Sequence, residues 1–137
     1  MSSTISPQTA LIYTMVMTSA ADSDMTDREL FAIGEIVRTL PAFGDFEADK
    51  LTTVAADCAA LLQQEEGLET AFGLIREALS GSLRETAYAL ACDVAAADGS
   101  VGQEELRLLE MLRHRLDIDR LVAAAIERGT RARHVHI

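Results

Sequence analysis

An all-α fold follows from three features of this chain. Alanine and leucine dominate its apolar residues while aromatics make up only 4%. Ser, Thr and Asp recur just ahead of apolar runs with helical spacing, and Pro and Gly punctuate those runs at short intervals. Ala and Leu suit close-packed helices, whereas sheets draw on β-branched and aromatic side chains. The 137 residues, 49% hydrophobic, suffice for one core without a metal or disulfide staple. The expectation is a single domain over residues 1–137, a compact bundle of about seven helices built on two pseudo-symmetric helical hairpins. Residues 1–6 and 130–137 are expected as loose termini.

Each helix has a start and a stop. Ser6 as N-cap and Pro7 at the first position open helix 1, expected to reach Ala21. Thr26 and Glu29 have the spacing of a capping box and open helix 2, which Pro41 stops after Leu40. Asp45 is expected to cap a long helix 3, "FEADKLTTVAADCAALLQQEE", ended by Gly67. Helix 4 is "LETAFGLIREALS", up to the Ser80-Gly81 break. A second capping box, Ser82 with Glu85, opens helix 5, which closes at the Asp98-Gly99 loop. Helix 6 runs from about Gln103 to Leu116, and Asp119 caps helix 7, expected to end at Gly129.

The segments "SAADSDMTDREL" (19–30) and "AAADGSVGQEEL" (95–106) match each other at these corners. Laying helix 1 over helix 5 and helix 2 over helix 6 pairs Ile12 with Tyr88, Val16 with Cys92, Ala21 with Ala97, Asp22 with Asp98, Glu29 with Glu105 and Leu30 with Leu106. Apolar residues follow both glutamates at helical spacing: Ile33, Ile36 and Leu40 after Glu29, and Leu108, Leu109, Leu112 and Leu116 after Glu105. Both carboxylates are therefore expected to face inward, while Glu104, Arg107, Glu110 and His114 form a solvated stripe. Helix capping accounts for part of this, more fully at Glu29, since Gly102 has no side-chain oxygen to complete a reciprocal bond. Asp22 and Asp98 follow the last turn of a helix, where carbonyl ends disfavour an added negative charge. Either each closes an Asx-type turn, helped by Gly99, or the carboxylates converge on a cation. Asp22, Glu29, Asp98 and Glu105 are thus the candidate metal ligands. An all-oxygen set without Cys or His favours Ca²⁺ or Mg²⁺ over Zn²⁺. An EF-hand is excluded, because Asp27 stands where the loop needs Gly and Ile33 where it needs a bidentate Glu.

Twenty-two acids against twelve bases give a net charge of −10, which repels nucleic acid and anionic lipid, so no nucleic-acid partner is expected. No apolar run approaches the roughly 20 residues of a bilayer span, and the N-terminus lacks a basic region before its first apolar stretch. A cytoplasmic protein without direct membrane insertion is expected. Cys58 and Cys92 lie in Ala-rich apolar runs and read as small core residues, as Met15, Met17 and Met25 read as core filler. His134 and His136 lack a third ligand and read as a solvated pair. The chain carries no nucleophile triad, phosphate-cradling glycine loop or metal-hydrolase motif, so it is not expected to be an enzyme.

The doubled pattern carried by "ALIYTMVMTSAADSDMTDREL" and "ALACDVAAADGSVGQEELRLLEML" resembles the tellurite-resistance TerB family. More distantly, it resembles the TerB-like domain of membrane-anchored DnaJ-type co-chaperones. The resemblance covers nearly the whole chain and implies an all-helical, internally pseudo-symmetric domain. It also implies a role in tellurite resistance or a wider chemical-stress response, through divalent-cation binding and assembly with protein partners, including membrane-associated stress-response proteins. The family's acidic pair falls on Asp22 and Glu29, and on Asp98 and Glu105. Ser23 stands where the second copy has Gly99, so the two corners need not be equivalent. Two functions are expected to compete: a cation-linked interaction module, and a metal-independent adaptor related to the co-chaperone domain. Sequestration of tellurite itself is a poor mechanism, since a chain at −10 repels an oxyanion.

Overall fold

The first helix is buried on every side, and the other helices are arranged around it. The computed structural model describes residues 4–22, 25–97 and 101–137, and of Asp22 the backbone alone. In it α1 spans Pro7–Ser19, begun by Ser6, whose Oγ accepts the Thr9 N–H at 3.1 Å. Every residue from Ala10 to Ser19 is buried, so α1 has no solvated stripe and must be enclosed. Two hydroxyls enclosed with it bond within the helix: Thr14 donates to the Ala10 carbonyl at 2.8 Å and Thr18 to the Thr14 carbonyl at 2.9 Å. Ser19 Oγ is buried without a hydrogen-bond partner among the described residues.

A 3-10 turn, Ala20–Asp22, continues α1, so the expected end of helix 1 is tightened over its last residues. Then follow α2 (Asp27–Thr39), 3-10 turns at Pro41–Phe43 and Ala48–Lys50, α3 (Leu51–Leu62), α4 (Gly67–Ala78), α5 (Ser82–Ala95), α6 (Gln103–Arg115) and α7 (Arg120–Arg133). The described residues form seven α-helices and no strand, as expected. The enclosure of α1 comes chiefly from α5, α3 and α4, and α7 packs on the outside of α5. Leu11, Ile12, Met15, Phe72, Ile75, Leu79 and Leu112 are among the largest fully buried apolar side chains of this core. Each contributes about 1.5–3 kcal/mol by leaving water. No helix among the described residues is long and apolar enough to cross a membrane.

Four local expectations are corrected. Asp45 does not cap helix 3: its Oδ1 accepts Gln8 Nε2 of α1 at 2.6 Å. That tie, with Phe43 buried and stacked edge-on to Phe46, turns residues 41–50 into short 3-10 segments, so α3 starts only at Leu51. Gly67 does not end a helix; it begins α4, after Glu66 adopts a left-handed conformation at φ 58°. A Cβ at Gly67 would lie 2.0 Å from the Leu61 carbonyl oxygen, so the close approach of the two helix ends requires glycine there. The second capping box does not form, because Ser82 is already the first helical residue and Gly81, at φ 50°, occupies the cap. Arg84 instead reaches back to close α4, donating to the carbonyls of Leu79 (2.8 Å) and Arg76 (3.0 Å). Finally, α7 is capped by Asp119 as expected but runs through Gly129 to Arg133, with Thr130 buried. Residues 130–133 are therefore helix rather than loose terminus, anchored where Arg133 meets Asp93 at 2.5 Å.

Both cysteines are core residues, as expected: Cys58 is fully buried and Cys92 nearly so, neither in a disulfide. Burial pushes each thiol up to about 12.

Two outcomes follow from this packing. Gly67→Ala should destabilise the protein by several kcal/mol in denaturant melts, since backbone must move to admit the methyl group. Gly73→Ala, in the same helix with open space around its Cβ, should stabilise it by about 0.5–1 kcal/mol. Stability should also fall between about pH 9 and 12. A thiol whose folded value is raised keeps its proton while the unfolded chain ionises, so each unit of pH in that window favours the unfolded state. Melting temperatures of the wild type and of Cys58→Ala across that range check this, the variant showing the shallower decline.

Candidate functional site

Glu29 and Glu105 reach the interior by the same local route. Each is the third residue of its helix, and each is almost wholly buried, at 2% and 4% exposure. At α2 the capping box is complete: Thr26 Oγ1 accepts the Glu29 N–H at 3.1 Å, and Glu29 Oε1 accepts the Thr26 N–H at 2.9 Å. At α6 Glu105 Oε1 accepts the Gly102 N–H at 3.1 Å, and the reciprocal bond is missing because glycine has no side chain to make it. Behind the glutamates, Ile33 and Val37 on one helix and Leu108, Leu109 and Leu112 on the other are buried, while Glu104, Arg107, Glu110 and His114 are exposed. Inward carboxylates and an outward polar stripe are both as the spacing requires.

The two hairpins pack on each other. The Ala20–Asp22 turn packs on α6, α2 packs on α5, and α1 packs on both α5 and α6. Ile12 and Tyr88 are both buried, as are Val16 and Cys92, while Leu30 and Leu106 are both exposed. Asp98 and the side chain of Asp22 lie outside the described residues. Among the described residues no three His, Cys, Asp or Glu side chains are placed to hold a metal ion.

A second feature has no counterpart in the sequence reading. Between α6 and α7, with α5 as its floor, runs an open groove of about 750 Å³. Tyr88 and Cys92 on α5 and Ala96 just past its end, spaced four residues apart, line its base. Leu106, Leu109 and Arg113 come from α6, and Thr130, Arg131 and His134 from the end of α7. The α7 wall is held to α5 at two places. Tyr88 donates its hydroxyl to Glu127 Oε2 at 2.5 Å, and Asp93 Oδ1 meets Arg133 Nη2 at 2.5 Å and His134 Nε2 at 3.4 Å. Burial, and then the bond to Glu127, push the Tyr88 phenol well above the usual tyrosine range. The Cys92 thiol beside it, at about 12, stays protonated near neutral pH and is no nucleophile there.

The groove was missed because its α7 wall is the stretch read as tail. The stripe Tyr88, Cys92, Ala96 was legible, but only a helix extending past Gly129 makes it a floor. His134 accordingly differs from the expected solvated pair: it is partly buried against Asp93, whereas His136 is exposed.

No curated protein and no solved structure matches the chain significantly. The family model described as tellurite resistance protein TerB matches residues 8–128, from the first turn of the buried helix α1 to the middle of α7. With nearly all of its helical core inside that match, the chain belongs to the TerB family of tellurite-resistance proteins.

Proposed function

We propose that this TerB-family chain acts in tellurite resistance or the wider chemical-stress response as a non-enzymatic protein-interaction module. Its two hairpin corners would be linked by a divalent cation, Ca²⁺ or Mg²⁺. The observation that carries the reading is the burial of Glu29 and Glu105 at the same position of two helices, with the Ala20–Asp22 turn laid on α6. Buried carboxylates are costly unless donors or a cation compensate them. Cap N–H groups supply one donor to each glutamate, and a shared cation supplies the positive charge that a chain at −10 is short of. Glu29, Glu105, Asp22 and Asp98 would hold it. An all-oxygen set fits a hard ion, and the ion would stiffen the corners and fix the surface offered to a protein partner. Membrane-associated stress-response proteins are the partner class, met from the cytoplasm.

A metal-independent adaptor, related to the co-chaperone TerB-like domain, is the second reading. It is favoured by the fact that Oε1 of each glutamate already serves its own helix start.

Calorimetric titration of chelator-treated protein with Ca²⁺, Mg²⁺ and Zn²⁺ separates the two. The module should bind Ca²⁺ or Mg²⁺ saturably and gain about 2.7 kcal/mol of stability at roughly 100 Kd. Asp98→Asn should abolish both effects. No heat and no melting shift with either ion would overturn the cation linkage. The adaptor requires instead that Asp22→Asn and Glu105→Gln lower stability equally with and without metal.

A further inference from the structure

We propose that copies of this chain associate head to tail, the exposed face of α7 on one copy docking against the exposed face of α3 on the next. Both faces are separate from the hairpin corners, and the association does not depend on a cation there. Its basis is an uneven distribution of charge. Residues 120–137 carry four arginines and a single acid, Glu127, whereas the rest of the chain carries eight bases and twenty-one acids. In a protein at −10, α7 is a helix of opposite sign.

Helical spacing sorts α7 into two faces. Val122, Ala123, Ile126 and Thr130 turn toward the protein, and Glu127 is drawn the same way by the Tyr88 hydroxyl. Arg120, Arg128 and Arg131 share the outer face with Leu121, Ala124 and Ala125, all of them exposed. The ion pairs among the described residues use Arg38, Lys50, Arg76, Arg115 and Arg133, and none of the three outer arginines. Leu121, 81% exposed, gives this face an apolar anchor, and its alanines let a second helix approach closely.

The chain itself holds the complement. On α3, Val54, Cys58 and Leu61 are buried or half-buried, while Thr53, Ala56, Asp57 and Ala60 are exposed. Asp57, with Glu65 and Glu66 just past the helix end, makes no ion pair among the described residues, and the base preceding α3, Lys50, is already engaged by Glu47 at 3.7 Å. The two helices, of 12 and 14 residues, differ in length by only about 3 Å. Because α3 packs on α1 and α7 on α5, their exposed faces point away from the bundle and do not meet within one chain. Two different, complementary patches on one molecule make a heterologous contact, which repeats into an open chain instead of closing into a two-fold dimer. Like net charges repel two copies at a distance, but at physiological ionic strength that repulsion is screened beyond about 8 Å, so the opposite charges at the contact decide.

Sedimentation velocity of the full-length chain tests this, in the presence of chelator and at physiological ionic strength, over a concentration series reaching about 1 mM, since exposed charge pairs are individually weak. The sedimentation coefficient should rise with concentration and continue past that of a dimer. Two double variants reverse one face each: Arg120→Glu/Arg128→Glu on α7 and Asp57→Lys/Glu65→Lys on α3. All four side chains are exposed, and circular dichroism verifies the fold. Each variant alone should associate about tenfold more weakly than the wild type, and an equimolar mixture should recover to within about threefold, because each reversed face then meets a face of opposite sign. The α3 variant is less negative overall than the wild type, so overall repulsion acting alone would strengthen its association, the opposite of the expected result. A wild type that stays monomeric throughout would overturn the proposal in favour of an acidic surface on another protein as the partner of α7. A dimer that grows no further, or a mixture that associates no better than its components, would overturn it as well.

Discussion

Burial of α1 on every side from Ala10 to Ser19 is the constraint on which the rest of the structure depends. A helix with no polar face must be enclosed, and α3, α4 and α5 do so. The demand extends to its polar residues, because hydroxyls without access to water need partners inside. Thr14 and Thr18 meet it by bonding one turn back along the helix, which leaves their outer surfaces apolar toward the neighbours. The same enclosure removes Cys58 from solvent, its thiol directed at the Tyr13 carbonyl. It also sets the position of α5, on whose far side the groove is built.

The corners show how one local rule can serve two ends. A glutamate at the third helical position satisfies an unpaired N–H and complements the positive end of the helix. In an exposed helix that is all it does. Here α2 and α6 turn that position inward, so each cap is also a carboxylate inside the protein, and the environment of its remaining charge becomes a question of tertiary packing. The missing half of the box at Gly102 makes the second corner more dependent on its surroundings than the first.

Connections between helices are handled by side chains reaching over the turns. Arg115 stacks on Phe72, 4.9 Å from the ring centre, while pairing with Glu69; Arg76 pairs with Asp117 at 2.8 Å and also reaches the Arg115 carbonyl. These contacts are largely exposed and individually worth little. Together they join α4 to the end of α6, across the turn where Asp117 takes a left-handed conformation at φ 54°.

The sequence by itself determined what depends on near neighbours. The all-α class, the starts of α1, α2 and α7 at Ser6, Thr26 and Asp119, and the inward direction of Glu29 and Glu105 all follow from spacing and caps a few residues apart. The TerB resemblance rested on the same local elements, and the match over residues 8–128 bears it out. Only the tertiary structure decided the rest, because distant groups outweighed local preference. Gln8 drew Asp45 away from its cap, the Leu61 carbonyl made Gly67 a helix start, Arg84 replaced a capping box, and Asp93 held a basic stretch in helical form past a glycine. The groove belongs to that second class: its floor was legible as a stripe on α5, but a stripe becomes a groove only when another helix, carried in by long-range contacts, supplies the opposite wall.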